Sequence, residues 1–473
     1  MKSMAGLLMA CGLSLASGGL CAQNQPPLVP LPEEVNSLVM SLGESQIAFI
    51  QPYTSANRRT WGEAQLEAFR GVVVDAALKH PDVKAVRFAR RANQFAVRES
   101  RAAWFPQVST QLNNGKVNND PSAIFGTPAR AYDSASFNVT VRQLVYDFGA
   151  TQSLIESANA KDQQSLYRQF STESDVSFKA VQAYHELVRA LRQFELAQRN
   201  EDARAAILSL VKQRQEIGGG TLSDVVRAQS RLAEATANVT NYRKSLGAVQ
   251  ASYREFFGSD GANIRFDSPV FDINATGDLM SELGLAGQVS WKVRVAQAAR
   301  AVAEADAKNA RAKSFASINL EVSSTRRDWV APGTPGTDRT VALVARQALY
   351  TGGADTARID QAVQKVMQSQ EELQAAELEY KRQIEQLIME SQYSQPLLNS
   401  RRLTAGLAAD SLRMVREQYA YRRGTLLDLL TAQEALYFSG RDLIDAEVDK
   451  ALISYRLLSS AALLNQFLGF SVD

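Results

Sequence analysis

The sequence of 473 residues is poor in cysteine and histidine, and this scarcity excludes several kinds of site. Its two cysteines, Cys11 and Cys21, both lie within residues 1–22, where a lysine, an apolar run and small residues are typical of a secretory signal peptide. Its removal would leave no thiol, which excludes disulfides and thiolate chemistry. His80 and His185 stand far apart, so we expect surface or packing roles for both.

Long apolar runs and an excess of one charge sign are also missing. The 52 basic and 50 acidic side chains nearly balance, so we expect no nucleic-acid partner. After the signal no run of about 18 apolar residues occurs, which predicts no membrane-spanning helix. An exported chain of this kind is either soluble outside the cytoplasm or enters an outer membrane as strands. Only 13 prolines and 27 glycines interrupt it, which favours long elements.

The chain contains an internal duplication. Val141–Ala150 matches Ala345–Ala354, and Gly220–Gln229 matches Gly424–Gln433, both at an offset of 204 positions. Two separated matches that share one offset indicate a repeated unit. We therefore predict a signal at 1–22 and an unassigned N-terminal extension at 23–60. The first repeat covers 61–257, an inter-repeat segment covers 258–284, and the second repeat covers 285–473.

Each repeat predicts one very long helix and a shorter return helix. Gly149–Ile217 contains no proline and repeats apolar residues at spacings of three and four, which predicts a rod of about 100 Å. Its counterpart is Ala354–Arg423, with a bend at Pro396. Hairpin tips fall at about 217–224 and 421–428, and the other predicted helices are Leu222–Phe257, Leu426–Phe467, Pro81–Ala103 and Leu285–Lys313. Two continuous rods would pack against two broken ones as antiparallel coiled coils.

A pair of strands lies between the short and the long helix of each repeat, at about 104–147 and 314–350. Alternating side chains predict strands at Val108–Leu112, Phe137–Val141, Ile318–Val322 and Thr340–Val344. Four strands cannot close a barrel, and lipid does not tolerate open sheet edges, so copies of the chain must share one barrel. Three copies would supply twelve strands, which we prefer to the eight of a dimer. The predicted fold is mostly α, with a transmembrane β-barrel part.

Aromatic side chains at the strand ends favour girdles at the membrane interfaces, although any single one is as well explained by core filling. They are Trp104, Phe105, Tyr146, Phe148, Phe315 and Tyr350 on the helix side, and Phe125, Tyr132 and Trp329 towards the far loops. Arg142 and Arg346 occupy equivalent strand positions, where they would favour anions if they faced a lumen. Val341–Val344 is apolar on both faces, so its inward face is undecided.

Several motifs together make the chain similar to the TolC-like outer membrane efflux protein family. They are Ala102–Val108 entering the first strand, Tyr146–Gly149 and Tyr350–Gly353 leaving strands, and the two Gly-Thr-Leu-x-Asp turns. From about Trp61 onward, the resemblance implies a homotrimeric channel, with an outer-membrane barrel continued by a helical barrel through the periplasm. It implies a periplasmic adaptor and an inner-membrane transporter as partners, without cofactor or catalysis. The sequences at the strand exits resemble the type I secretion branch more than the efflux branch. The cargo, the transporter, the resting state of the channel and lipidation stay undecided.

The two turns between long and return helices are the candidate sites. Each places a threonine and an aspartate three residues apart at a helix start, Thr221 with Asp224 and Thr425 with Asp428. This spacing predicts a capping box at each turn. By resemblance, the turns form the periplasmic mouth and dock the adaptor through Gly220, Thr221, Leu222, Gly424, Thr425 and Leu426.

The resemblance also implies a gate at this mouth. Asp428 matches the first of two acidic gate positions, but the second is Thr431, so an acidic ring is half present. A ring of Asp428 carboxylates would raise their pKa and attract cations. Tyr421, with Arg422 or Arg423, resembles a latch that holds the closed state through Asp224. The alternative is a solvated basic helix end that suits the helix dipole.

Two functions of other classes compete. A periplasmic coiled-coil scaffold or adaptor without a barrel would need no detergent, although the repeated strand pairs argue against it. An extracytoplasmic enzyme would need a site, and the two histidines are not placed for a Ser-His-Asp set. Gly218–Gly220 lacks the lysine and hydroxyl of a phosphate-binding loop and is predicted to end a helix.

Overall fold

The computed structural model describes residues 33–54, 63–119, 130–261, 264, 270–271, 290–327 and 336–470. The predicted signal peptide, Phe125 and Trp329 lie outside the described residues, and only the backbone of Tyr132 is described. The division into extension, repeats and inter-repeat segment stays a prediction.

The described residues form long helices and one small sheet. In chain order the elements are α1 (Glu33–Ser41), α2 (Glu44–Thr54), α3 (Glu63–Lys79), α4 (Pro81–Ala102), β1 (Gln107–Asn119), β2 (Arg130–Tyr146), α5 (Ala150–Glu216), α6 (Leu222–Phe257), α7 (Trp291–Ala312), β3 (Ser317–Arg327), β4 (Gly336–Arg346), α8 (Ala354–Ala420), α9 (Leu426–Ser460) and α10 (Leu464–Leu468). No helix in these described ranges is both long and apolar enough to cross a membrane.

The two predicted rods are confirmed as α5 and α8, each of 67 residues. Helix α8 continues through Pro396 as a single helix. The prediction for the last helix is wrong at its end: α9 stops at Ser460, and residues up to Phe467 belong partly to the separate α10. The cause is Ala462, whose φ of 61° turns the chain out of the helix. The start of Leu285–Lys313 falls outside the described residues, and α7 begins at Trp291.

The helices pack side by side as the predicted bundle of continuous and broken rods. Helices α4 and α6 both contact α5 along its length. On the other side of α5 lie α7 and α9, which also contact α8. One flank of this wall is therefore formed by α4 and α6, and the opposite flank by α8. Exposed apolar side chains lie on both flanks: Phe88 and Phe95 on α4, and Met367, Leu378, Met389, Tyr393, Leu397, Leu403, Leu407 and Met414 on α8.

The strands form one antiparallel sheet in the order β1-β2-β3-β4, so β1 and β4 are open edges in a single chain. All four strands are longer than predicted, because pairing extends into the polar segments beyond the alternating cores. A β-bulge between Leu144 and Tyr146 shifts the register of β2 against β3 near the helices.

The register of the sheet separates an apolar from a polar face. Four valines stand in one row across the strands, since Val108 pairs with Val141, Val141 with Val322, and Val322 with Val341. The next row, of opposite orientation, contains Gln107, Arg142, Glu321 and Ala342. Leu343 is 67% exposed on the apolar face, whereas Asn319 on the polar face is buried. The register thus assigns the faces of β4, which its own sequence left undecided.

The unassigned N-terminal extension contains two helices, and a third follows it. Helices α1 and α2 lie across α5, α8 and α9, and bury the apolar side chains Val39, Leu42, Ile47, Phe49, Ile50 and Tyr53. Helix α3 packs on α5 beside α4. Helices α1 and α2, of 9 and 11 residues and with Pro52 inside α2, carry too few turns for a clear periodic signal, which is why the sequence did not reveal them.

Both histidines have the structural roles expected of them. The Nδ1 atom of His80 accepts a hydrogen bond from the backbone N–H of Asp82 at 3.2 Å and caps α4. His185 is fully buried, and its Nε2 accepts the N–H of Phe271 at 3.2 Å. His185 thereby fixes a short part of the inter-repeat segment to α5.

Candidate functional site: the hairpin tips and the polar face of the sheet

The two long helices end in the same chain reversal. At the end of α5, Gly218 N–H donates to Gln215 O at 3.1 Å and Gly219 N–H to Arg214 O at 2.8 Å. At the end of α8, the corresponding bonds run from Arg422 to Tyr419 and from Arg423 to Gln418, at 3.2 and 2.8 Å. Both pairs are Schellman motifs, which satisfy the last carbonyl groups of each helix. The prediction that Gly218–Gly220 ends a helix is confirmed.

The return helices begin with the two predicted capping boxes, which are both confirmed. Thr221 Oγ1 accepts the N–H of Asp224 at 3.2 Å, and an Asp224 carboxylate oxygen accepts the N–H and hydroxyl of Thr221. Thr425 and Asp428 repeat this arrangement, with distances of 3.2, 3.1 and 2.7 Å. Reciprocal capping fixes where each return helix starts and holds both carboxylates at the tips.

The hydrogen bonds of the second box change the acidity of its carboxyl group. The hydroxyl and the backbone N–H of Thr425 both donate to the ionised form of Asp428 and lower its pKa below 3.8. A single chain therefore favours the charged form. The increase expected for an acidic ring requires carboxylates from neighbouring copies.

The predicted gate residues of the second tip all face solvent. Asp428 and Thr431 are one helical turn apart on the exposed side of α9. Tyr421 is 67% exposed, and Arg423 is exposed beside it. Among the described residues of one chain, no hydrogen bond or ion pair joins Tyr421, Arg422 or Arg423 to Asp224. A latch between these groups therefore needs a second copy or another state.

The predicted docking residues differ between the tips. Leu222 at the first tip is 70% exposed, whereas Leu426 at the second is 7% exposed and joins the core shared with α1 and α2. Gly220 and Gly424 both approach the preceding helix backbone closely, since an added Cβ would lie 3.2 Å from a backbone nitrogen in each. The tips thus share a backbone but present different surfaces.

The N-terminal helices hold the second hairpin just above its tip. Arg416 of α8 is buried, donates to the carbonyl oxygen of Leu42 at 2.6 Å and pairs with Glu44 at 2.5 Å. Gly440 of α9 leaves room for Ile50, since an added Cβ would lie 2.5 Å from the Ile50 Cδ1 atom. Sequence reasoning missed this contact, because neither Arg416 nor Gly440 belongs to a motif. We name α1 and α2 the N-terminal clip.

A charged triad crosses the polar face of the sheet near the helices. Glu321 accepts hydrogen bonds from Arg142 Nε at 2.8 Å and from two nitrogens of Arg346 at 2.7 and 3.1 Å. The structure therefore brings both predicted lumen arginines to one carboxylate, with one positive charge in excess. Sequence reasoning missed Glu321, and it also missed Lys313, which lines a cleft of about 740 Å³ together with Arg346 and Asp147.

The helix-side aromatic residues gather where the strands meet the helices. The ring centroids of Tyr146 and Phe148 are 4.8 Å apart, and those of Phe148 and Phe315 are 5.7 Å apart. All six predicted residues are exposed in the single chain, namely Trp104, Phe105, Tyr146, Phe148, Phe315 and Tyr350. They are therefore not filling the core of one protomer.

Comparison with known proteins gives matches among outer membrane efflux proteins. Residues 72–258 and 283–462 match the model of the family described as outer membrane efflux protein. Over 418 residues the chain is 25% identical to outer membrane efflux protein BepC of Brucella suis biovar 1 (strain 1330), covering 84% of this chain and 86% of the relative. It is 22% identical to proteases secretion protein PrtF of Dickeya chrysanthemi over 404 residues, 81% of this chain and 86% of PrtF.

Solved structures share the fold at low sequence identity. The crystal structure of the outer membrane protein VceC from Vibrio cholerae superposes with a TM-score of 0.73 and 16% identity, covering 84% of this chain and 96% of VceC. The prediction of a mostly α fold with four strands per chain is confirmed, and the four strands form a small antiparallel sheet. The segment of the N-terminal clip precedes the residues that the family model matches.

Proposed function

Because the chain belongs to the outer membrane efflux protein family, and is therefore an outer-membrane channel protein, we propose that three copies form a passive exit duct through that membrane. In this proposal each copy contributes its four strands to one twelve-stranded barrel and its helical wall to a tunnel in the periplasm. The duct itself needs no cofactor and catalyses no reaction.

The observation that carries this proposal is the four-stranded sheet with two open edges and two unlike faces. An unpaired strand edge is costly in lipid, and β1 of one copy and β4 of the next supply complementary edges. The apolar face with its row of valines suits lipid, and the polar face suits a water-filled lumen. The exposed aromatic groups at the helix side would then form a girdle at the periplasmic interface.

The helical wall supports the same arrangement. One flank of the wall consists of α4 and α6, and the other consists of α8. Both carry exposed apolar side chains, such as Phe88 and Phe95 on the first flank and Leu378 on the second. Lateral contact between the flanks of adjacent copies would cover these residues, and the wall would close into a cylinder. The triad around Glu321 would line the lumen three times, and its excess positive charge would favour anions at that level.

We assign the gate to the hairpin tips. Asp428 and Thr431 would line the periplasmic mouth, and Tyr421 with Arg422 or Arg423 would bind Asp224 of an adjacent copy in the closed state. The tips would dock a periplasmic adaptor that links the duct to an inner-membrane transporter, through Gly220, Thr221, Leu222, Gly424, Thr425 and Leu426. The printed name of PrtF supports secretion of proteins, and that of BepC supports efflux. We favour the type I secretion system.

Cross-linking of the two sheet edges tests the shared barrel. In a background without Cys11 and Cys21, a cysteine at Ser109 on β1 and one at Thr340 on β4 should be joined by a flexible bis-maleimide between copies. Bands of two and three chains are expected in detergent, and none larger. The matched control pairs Ser109→Cys with Thr140→Cys, which face each other within one chain and should give a single-chain product.

The scaffold alternative predicts the opposite result. A periplasmic coiled-coil scaffold without a barrel would purify without detergent as a single chain, and the edge cysteines would stay unlinked. That outcome would overturn the proposed duct together with its gate and partners.

A further inference from the structure

Two arginines stand on the apolar face of the sheet at the end away from the helices. Arg326 lies on β3 opposite Thr337, and Arg339 lies on β4 opposite Ser324. The two arginines are therefore diagonal neighbours on one face, within reach of one shared ligand. The intervening rows towards the helices carry Val322 and Val341, and then Leu320 and Leu343. The apolar face thus changes abruptly from aliphatic to basic.

Neither arginine is neutralised by a neighbour in the described part of the chain. Both are exposed, and neither forms an ion pair or a hydrogen bond with another described residue. Arg327, the next residue along β3, points to the opposite face and pairs there with Asp338 at 2.9 Å. Among the described residues, Asp338 therefore compensates Arg327 on the polar face, while Arg326 and Arg339 remain charged on the apolar face.

The depth of the pair matches a membrane interface. Arg326 lies eleven positions after Phe315 of the helix-side aromatic cluster. Nine of these steps lie within β3, and an extended chain of eleven steps spans at most about 36 Å, or about 28 Å along the membrane normal at a tilt near 40°. The apolar band of an outer-membrane barrel is about 25 Å tall, so the pair would stand just beyond it. Phe137, which pairs with Arg326 across β2 and β3, is 41% exposed at the same level.

We propose that Arg326 and Arg339 bind the phosphate group of an anionic lipid in the outer leaflet. Planar guanidinium groups form paired hydrogen bonds with phosphate oxygens, and two of them can hold one phosphate between adjacent strands. The acyl chains of the same lipid would lie along Leu320, Val322, Val341 and Leu343, which a free anion would not use. The proposal rests on the membrane placement of the sheet, and it does not depend on the number of copies.

Binding to lipid nanodiscs tests the site. The full-length protein would be reconstituted in phosphatidylcholine nanodiscs containing phosphorylated lipid A, washed, and assayed for lipid A retained per chain. We expect lipid A from which the phosphates have been removed to be retained roughly 20- to 30-fold more weakly, since each arginine near an anionic surface strengthens binding about fivefold. The double variant Arg326→Gln/Arg339→Gln should lose the same discrimination.

The matched control is Arg327→Gln, which removes an arginine of the same strand from the opposite face and should retain lipid A like the unmodified protein. The variant Arg326→Lys/Arg339→Lys keeps the charge and should retain part of the binding, which separates loss of the site from loss of folding. Equal retention of both lipid A forms by the unmodified protein would overturn the proposal. Full displacement of lipid A by inorganic phosphate would also overturn it, in favour of a free-anion site. Cross-linked trimers in either case would leave the proposed duct intact.

Discussion

The two hairpin tips have the same backbone but differ at four equivalent positions, three of which directly precede the shared glycine. Where the first tip has Ile217, Gly218 and Gly219, the second has Tyr421, Arg422 and Arg423. Gly218 adopts a φ of 74°, which glycine tolerates, whereas Arg422 is held at 56°. The repeated fold therefore imposes the turn on either residue, and the second tip accepts the strain of a large side chain. Strain of this kind clusters at functional sites.

The strand exits show the same difference with the repeats exchanged. Phe148 has a φ of 52° in the first repeat, and Gly352 has 66° at the equivalent position of the second. Phe148 belongs to the aromatic cluster with Tyr146 and Phe315. Among these turns, the non-glycine residue with a positive φ therefore lies at a different place in each repeat. In the first repeat it is Phe148 beside the sheet, and in the second it is Arg422 at the hairpin tip. The two repeats therefore share their backbone at these turns and differ in their side chains.

The largest expected effect concerns the N-terminal clip, which packs on the second hairpin and should stabilise it. Gly440→Val should place a side chain into the space of Ile50 and destabilise clip docking by about 2–3 kcal/mol, as overpacking does. Hydrogen exchange of the α2 backbone amides should accelerate accordingly. Gly406→Val is the matched control on α8, since nothing lies within 4 Å of its added Cβ. Unchanged exchange in Gly440→Val would show that the clip does not fasten the second hairpin.

The second prediction tests whether the polar residues of the second tip close the duct. Tyr421→Phe combined with Arg423→Ser should raise single-channel conductance of the closed state about tenfold, because one or two charge-assisted hydrogen bonds would be lost. Arg413→Ser, on the same helix and paired with Asp410, is the matched control and should leave conductance unchanged. Closed-state conductance that stays the same in the double variant would contradict the latch and favour the solvated helix end.

Local patterns predicted the parts of the molecule that depend on nearby residues. The spacing of Thr425 and Asp428 is sufficient for a capping box, because both partners lie within one turn. The rods at α5 and α8 followed from long stretches of helical periodicity. The end of α9 did not, since Ala462 in a left-handed conformation has no sequence signature and is imposed by packing.

Features that depend on distant residues could not be predicted. The inward face of β4 becomes defined only through its register with β3, which places Ala342 beside Glu321. Arg416 gave no local sign that it would bind the carbonyl group of Leu42, which is more than 370 positions away. The gate residues Asp428, Thr431 and Tyr421 were named by resemblance, and their roles stay predictions.

The third prediction exchanges the residues that distinguish the two turns. Arg422→Gly should relieve the left-handed strain and slow amide exchange at the end of α8 by about fivefold, or about 1 kcal/mol. Gly218→Arg should accelerate exchange at the end of α5 by a similar factor. The amide of Arg423 in the first case and of Gly219 in the second report the change, since both donate to helix carbonyl groups. Equal rates in parent and variants would show that the turn is not strained by Arg422.

The smallest expected effect is the acid sensitivity of the second tip. Hydrogen bonds from Thr425 lower the pKa of Asp428 below its ordinary value of 3.8. The cap is therefore at full strength above pH 3.8 and is lost as the pH falls through the lower folded-state value, where the carboxylate takes up a proton. Asp428→Asn removes this proton uptake. Amide exchange at the start of α9, corrected for its intrinsic pH dependence, should therefore accelerate between pH 5 and pH 2 in the parent but much less in the variant. The same acceleration in both would mean that the Asp428 carboxylate does not hold the turn.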